Sequence, residues 1–313
     1  MQAPIQASNS IATSARVDWL GVGLFLLLTF AISWATWLGL RILGVPFTIR
    51  TACGMFGPAL AALLTRLIRR DGFADAGLRL RARGLRGAGW MYVAAYVVPP
   101  LLIIAGIGFV LLIGYQHWAL PQHVQALAEA LKEQLGTRPL PSGMTMIQLA
   151  TVSLVLQAVL AFTLGLPINM IFTFGEEFGW RGYLLPRLVP LGGVPAALLV
   201  GLVWGFWHAP LIVLDDFNYP GYPWLGVPMM MLFCILLSII FAWLRFRSGS
   251  VWPPTLAHAA VNAQAGFAIL FLSEGDSLLR APLGLLGLVP ACIFALFLVV
   301  TGRLKPAASV ALS

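Results

Sequence analysis

Gly175-Glu176-Glu177-Phe178-Gly179-Trp180-Arg181 places two adjacent carboxylates and an arginine inside a sequence otherwise built for lipid. A charged side chain near the centre of a bilayer costs about 2.5–3.5 kcal/mol even on lenient insertion scales, so this cluster needs a task or a partner. Its surroundings fix the class. Of 313 residues, 60% are hydrophobic and only 10% charged, and the mean hydropathy is +0.91. That is far more apolar surface than a soluble core can hide. The apolar stretches are long and continuous rather than alternating, which predicts an all-α membrane protein and not a barrel.

Apolar runs long enough to span fall at 19–42, 51–67, 89–113, 147–174, 194–214, 225–244, 251–272 and 283–301, which predicts eight transmembrane helices. Leu164-Gly165-Leu166-Pro167 interrupts the fourth. Pro167 removes a backbone donor, so a broken helix running on toward Pro186 is expected, with a polar cavity at membrane depth. The organisation is then a disordered tail over 1–18, one polytopic domain over 19–302 with its motif-bearing core at 147–271, and a tail over 303–313. The first apolar run is longer than that of a signal peptide and reads as a retained anchor.

Arginine placement gives the orientation. Seven arginines between Arg66 and Arg86 face only Asp71 and Asp75, which assigns that loop to the cytoplasm. Arg181 and Arg187, Arg245 and Arg247, and Arg303 and Lys305 fall on the same side, which makes both termini cytoplasmic. The excess of 19 Lys and Arg over 11 Asp and Glu is thereby topology and contact with anionic lipids, with no nucleic-acid partner. Cys53, Cys234 and Cys292 stand singly within spans and read as packing residues. Between the third and fourth spans Leu120, Val124, Leu127, Leu131 and Leu135 recur at helical spacing, between Pro121 and a Gly136 stop. This predicts an amphipathic helix on the outer face, lying in the interface or serving as a lid; His117 and His123 of that region read as solvated.

Within the spans, Glu177 and Arg181 are four residues apart with the acid first, the favourable order for an intrahelical ion pair. Glu176 then points about 100° away and is left for proton transfer or a ligand. His208 lies in Trp204-Gly205-Phe206-Trp207-His208, and His258 and Asn262 share a face of the seventh span beside Ala257, Ala259 and Ala260. One carboxylate, two imidazoles and an amide can build a hydrolytic site. A desolvated glutamate shares a water with an imidazole, while the amide and a protonated imidazole stabilise an oxyanion. Glu176, His208 and His258 equally make a donor set suited to a catalytic divalent metal such as zinc, and spacing does not decide between the two.

The chain here resembles the CPBP intramembrane proteases, also called the Abi or type II CAAX prenyl protease family. The motif Glu-Glu-x-x-x-Arg matches Glu176, Glu177 and Arg181; Phe-x-x-x-His matches His208 with Trp204 in the aromatic position; His-x-x-x-Asn matches His258 and Asn262. The resemblance implies that Glu176 and His208 activate water and that His258 and Asn262 stabilise the oxyanion, with Glu177, Arg181 and Trp204 in support. It also implies a peptide or protein substrate that can be lipidated, in contact with membrane lipids, and a bacterial inner membrane is the expected location. The reading is thus an intramembrane endopeptidase whose cavity opens toward the cytoplasm near the start of the seventh span. The alternative is a non-proteolytic scaffold or bacteriocin-immunity protein of the same fold. A proton-relay transporter fits less well, because no internal repeat is visible.

Overall fold

The computed structural model describes residues 16–80, 87–136, 138, 140 and 143–306. The tail expected to be disordered over 1–18 lies outside these up to residue 15, as do 307–313 of the C-terminal tail and Arg81, Arg83 and Arg86 of the basic loop.

The described chain is helical, and the only strand-like pairing in it is an isolated bridge between Trp118 and Leu272. α1 (Trp19–Ile42) begins where Asp18 accepts the Gly21 N–H, and it returns through α2 (Phe47–Gly54) and α3 (Gly57–Arg69), which together make one pass. α4 (Trp90–Leu112) leads to the amphipathic α5 (Leu120–Leu135), which stops at Gly136 with φ +56°. α6 (Met146–Phe162) starts at a capping box formed by Thr145 and Gln148. α7 (Gly165–Gly179) follows after a bend of 50°. Pro167 sits in the first turn of α7, where its missing N–H breaks no helical bond, so the interruption predicted at 164–167 is a junction between two helices.

Beyond α7 a five-residue π turn, Trp180–Leu184, joins α8 (Leu185–Leu188). α9 (Gly193–Trp207) continues into α10 (Ala209–Asp215), and α11 (Gly226–Ser248), α12 (Trp252–Phe271) and α13 (Val289–Val300) complete the bundle. Among the described residues, 5 helical segments are long and apolar enough to cross a bilayer, or 6 with the bent pair α6 and α7 counted as one. The expected count of eight is therefore not reproduced. α12 carries His258, Asn262 and Gln264, which dilute its apolar character, and 283–288 forms turns that leave α13 only 12 residues.

Two glycine pairs seat the helices that bear the motifs. On α9, Gly201 and Gly205 face α11, and a Cβ on Gly201 would stand 2.5 Å from the Ile235 Cα. On α7, Gly175 and Gly179 face the start of α3, where added Cβ atoms would stand 2.7 Å from the Met55 carbonyl oxygen and 2.5 Å from Pro58 Cβ. Both pairs have the Gly-x-x-x-Gly spacing that lets helix backbones approach in a membrane. Large apolar side chains such as Leu27, Leu112, Val155 and Ile293 are exposed around the perimeter, as expected of a surface that meets lipid.

The bundle has two chemically distinct ends. At one, Asp18 pairs with Arg69, Asp71 with Arg187, and Asp75 with Arg66 and Arg187. Arg245 reaches the same knot through the Asp75 and Arg181 carbonyls. At the other end Asp215 accepts two hydrogen bonds from Arg50, at 2.6 and 2.7 Å, and one from Arg41.

Candidate active site

The site is assembled where α7, α9 and α12 converge. Glu176 and Glu177 are consecutive on α7, so their carboxylates leave in different directions, and both are buried. Glu177 Oε1 accepts from Arg181 Nη1 at 2.8 Å and from His258 Nδ1 at 2.9 Å. One carboxylate oxygen thereby ties the first motif to the third. Arg181 is fully enclosed, and its guanidinium lies over the rings of Trp204 and Phe241 at 4.7 and 4.9 Å. These aromatic faces stabilise the cation where two of its three nitrogens have no hydrogen-bond partner among the described residues.

Glu176 has a different set of neighbours. The indole Nε1–H of Trp204 donates to its Oε2 at 2.6 Å. The same indole packs against both imidazoles, 6.2 Å from the His208 ring and 5.1 Å from the His258 ring between centroids. His208 sits between α9 and α10, and its Nδ1 lies 2.9 Å from the Trp204 carbonyl oxygen. A carbonyl oxygen only accepts, so Nδ1 carries the proton and Nε2 is left with its lone pair. The same argument applied to the Glu177 carboxylate protonates Nδ1 of His258 and leaves its Nε2 for other partners.

Glu176, Trp204, His208, His258 and Asn262 all line one cavity of about 290 Å³. Its remaining wall is largely apolar, with Trp37, Met55, Leu211, Phe233 and Leu283 among the contributors, and it holds no Lys or Arg among the described residues. Two further observations give its direction. Thr51, Phe217, Asn218 and Pro282 line it and belong to the end that carries Asp215, whereas no residue of the arginine knot does so. Along α12, His258 is buried while Asn262, one turn farther from that knot, is exposed. The cavity therefore extends away from the arginine-rich end, opposite to the direction expected from the sequence. The physical reason is the knot itself: Arg66, Arg181 and Arg245, all buried, fill the space between the site and that end.

The rim at the far end is built. Tyr219 donates its hydroxyl to the Leu283 carbonyl at 3.2 Å and Ser277 donates to that of Pro220 at 3.1 Å. Tyr222 donates to Asp276, and this hydrogen bond holds its phenol above the usual pKa. Of the outer histidines, His123 does not stand free in solvent: its Nε2 lies 3.0 Å from the Leu272 carbonyl.

Residues 157–264 match the family model described as type II CAAX prenyl endopeptidase Rce1-like. The match supports the CPBP/Abi family. At family level it supports a CAAX-protease-like membrane endopeptidase, and the matched segment holds all of Glu176, Trp204, His208, His258 and Asn262. No curated protein matches the chain. The indole bond to Glu176 is not legible in the sequence, where Trp204 reads only as the aromatic residue of the second motif. As for a metal, among the described residues no three His, Cys, Asp or Glu side chains come close enough to hold one. The set Glu176, His208 and His258 is not gathered as it stands, with the Trp204 indole packed against both imidazoles and bonded to the carboxylate.

Proposed function

We propose that the chain is an intramembrane endopeptidase that hydrolyses peptide bonds of membrane-associated proteins or peptides with water activated by Glu176 and His208. The observation that supports this most is the convergence of Glu176, His208, His258 and Asn262 on one largely apolar cavity. In this reading a water lies between the free oxygen of Glu176 and Nε2 of His208. Glu176 takes its proton as the water oxygen attacks the carbonyl carbon. The oxyanion that forms accepts hydrogen bonds from the Asn262 amide and from Nε2–H of a protonated His258, whose positive charge is offset by Glu177. When the C–N bond breaks, Glu176 returns its proton to the leaving amine, and carboxylic acid and amine products are released. Glu177 and Arg181 hold His258 in place.

Removing a general base lowers turnover by about 10²–10⁴-fold, and removing one oxyanion donor by about 10²–10³-fold. Glu176→Ala and His208→Ala, measured separately on protein that still inserts, are therefore expected to abolish detectable cleavage, while Asn262→Ala lowers kcat with KM little changed. Full activity in both Glu176→Ala and His208→Ala contradicts the proposal. A Glu176→Gln protein that keeps its cellular effect without cleaving anything would favour the scaffold or immunity role instead.

A further inference from the structure

We infer that Asn218 is a substrate-binding residue of this site, whose side-chain amide pairs with a peptide unit of the substrate backbone. The inference rests on the proteolytic reading above and adds a contact that none of its steps uses. Backbone groups are common to every peptide, so the contact is independent of the side chains or lipid that select the substrate. Three observations carry it.

The first is position. Asn218 lines the same cavity as Glu176, His208, His258 and Asn262. It lies in the loop between α10 and α11, outside all three motifs. The second is unused hydrogen-bonding capacity. A carboxamide offers two N–H donors and an acceptor oxygen. Among the described residues, the only hydrogen bond of this side chain goes to the Met230 sulfur at 3.9 Å, and a thioether is a weak acceptor. Asn218 and Asn262 are the two carboxamides on the cavity wall among the described residues, and the oxyanion takes only the second.

The third is the backbone that presents the amide. Asn218 has φ +64°, in the left-handed region, where an asparagine ordinarily gains by bonding its own neighbouring backbone. Here the side chain is turned to Met230 and the cavity instead. The residues on either side are fixed. The Phe217 ring stacks on the His208 imidazole with centroids 6.3 Å apart and planes 18° apart, and its N–H donates to the Leu211 carbonyl. Tyr219 is fully buried and tied to Leu283. The amide is therefore held in place before the substrate arrives, and little freedom is lost when it binds. Its N–H matches a peptide carbonyl and its oxygen a peptide N–H, which satisfies both partners in a largely apolar cavity.

The probe is a fluorescent farnesylated CAAX peptide, with a series that carries one N-methyl group at each peptide bond in turn. Its Kd is measured by anisotropy on the detergent-purified Glu176→Gln protein, which holds the peptide without turnover, with and without a change at Asn218. Glycine takes φ +64° without strain, so Asn218→Gly removes the amide and spares the loop. Asn218→Asp also tolerates that conformation and keeps the acceptor without the N–H. Both are expected to raise Kd by about tenfold with the melting temperature unchanged. N-methylation at one position is expected to weaken binding by a similar factor when Asn218 is present and to have no further effect in Asn218→Gly. In the active enzyme Asn218→Gly is expected to raise KM by the same factor with kcat little changed. An unchanged Kd in both variants, the same N-methyl profile with and without Asn218, or a parent that binds none of the peptides overturns the inference. Binding is read without turnover, so a protein that binds through Asn218 and cleaves nothing refutes the proteolytic reading and leaves the inference standing.

Discussion

Glu177 stands at the junction of two motifs: one oxygen receives both the Arg181 guanidinium and the His258 imidazole. The i, i+4 spacing of Glu177 and Arg181 made their pairing legible in the sequence, because it follows from helical geometry alone. The bond to His258 joins residues 81 apart in the chain and could not be read that way. Glu177→Ala is expected to lower the yield of folded protein, since it leaves Arg181 buried without its acid at a cost of about 3–5 kcal/mol. Yield is read by fluorescence-detected size-exclusion chromatography. Normal yield with lost turnover would transfer the chemistry from Glu176 to Glu177. Trp204→Phe restores the aromatic residue of the family pattern and removes the N–H that holds Glu176. A hydrogen bond to a charged group contributes about 1.5–3 kcal/mol, so kcat is expected to fall by about tenfold or more with KM little changed. A Trp204→Phe enzyme with unaltered kcat would show that the indole does not position the carboxylate.

At the scale of the element, the position of each catalytic side chain depends on how closely its helix lies against the next. The Gly201 and Gly205 pair lets α9 settle on α11, which places Trp204 against Glu176 and His208 on the wall of the same cavity. Gly201→Leu, with a branched side chain driven toward the Ile235 Cα, is expected to separate these helices and lower both thermal stability and turnover. A melting temperature unchanged from the parent would mean that α9 does not need this contact. The helices themselves were legible, because long apolar runs leave few choices, and α5 was marked by its periodicity and by Pro121 and Gly136. The number of passes was less so. Composition alone does not reveal that 283–288 turns instead of continuing a helix, its backbone bonded back to 278–280 and the Leu283 carbonyl held by Tyr219 from the far rim.

For the whole molecule, the two ends of the bundle divide the work. The arginine-rich end is a network of buried pairs that closes the site, and the Asp215 end is where the cavity runs out between tied loops. The arginine bias was plain in the sequence, but the position of the cavity relative to it was not. That position depends on Arg66, Arg181 and Arg245 folding inward, and a hydropathy profile treats inward and outward arginines alike. The central claim is hydrolysis by a water that Glu176 activates. The most direct measurement is cleavage of a quenched fluorescent library of apolar peptides by the detergent-purified protein beside its Glu176→Gln variant. The account predicts cleavage by the parent and a loss of about 10²–10⁴-fold in the variant, which keeps the shape of the side chain and removes its basicity. Equal rates from the two proteins, or no cleavage of any apolar peptide by the parent, would contradict it.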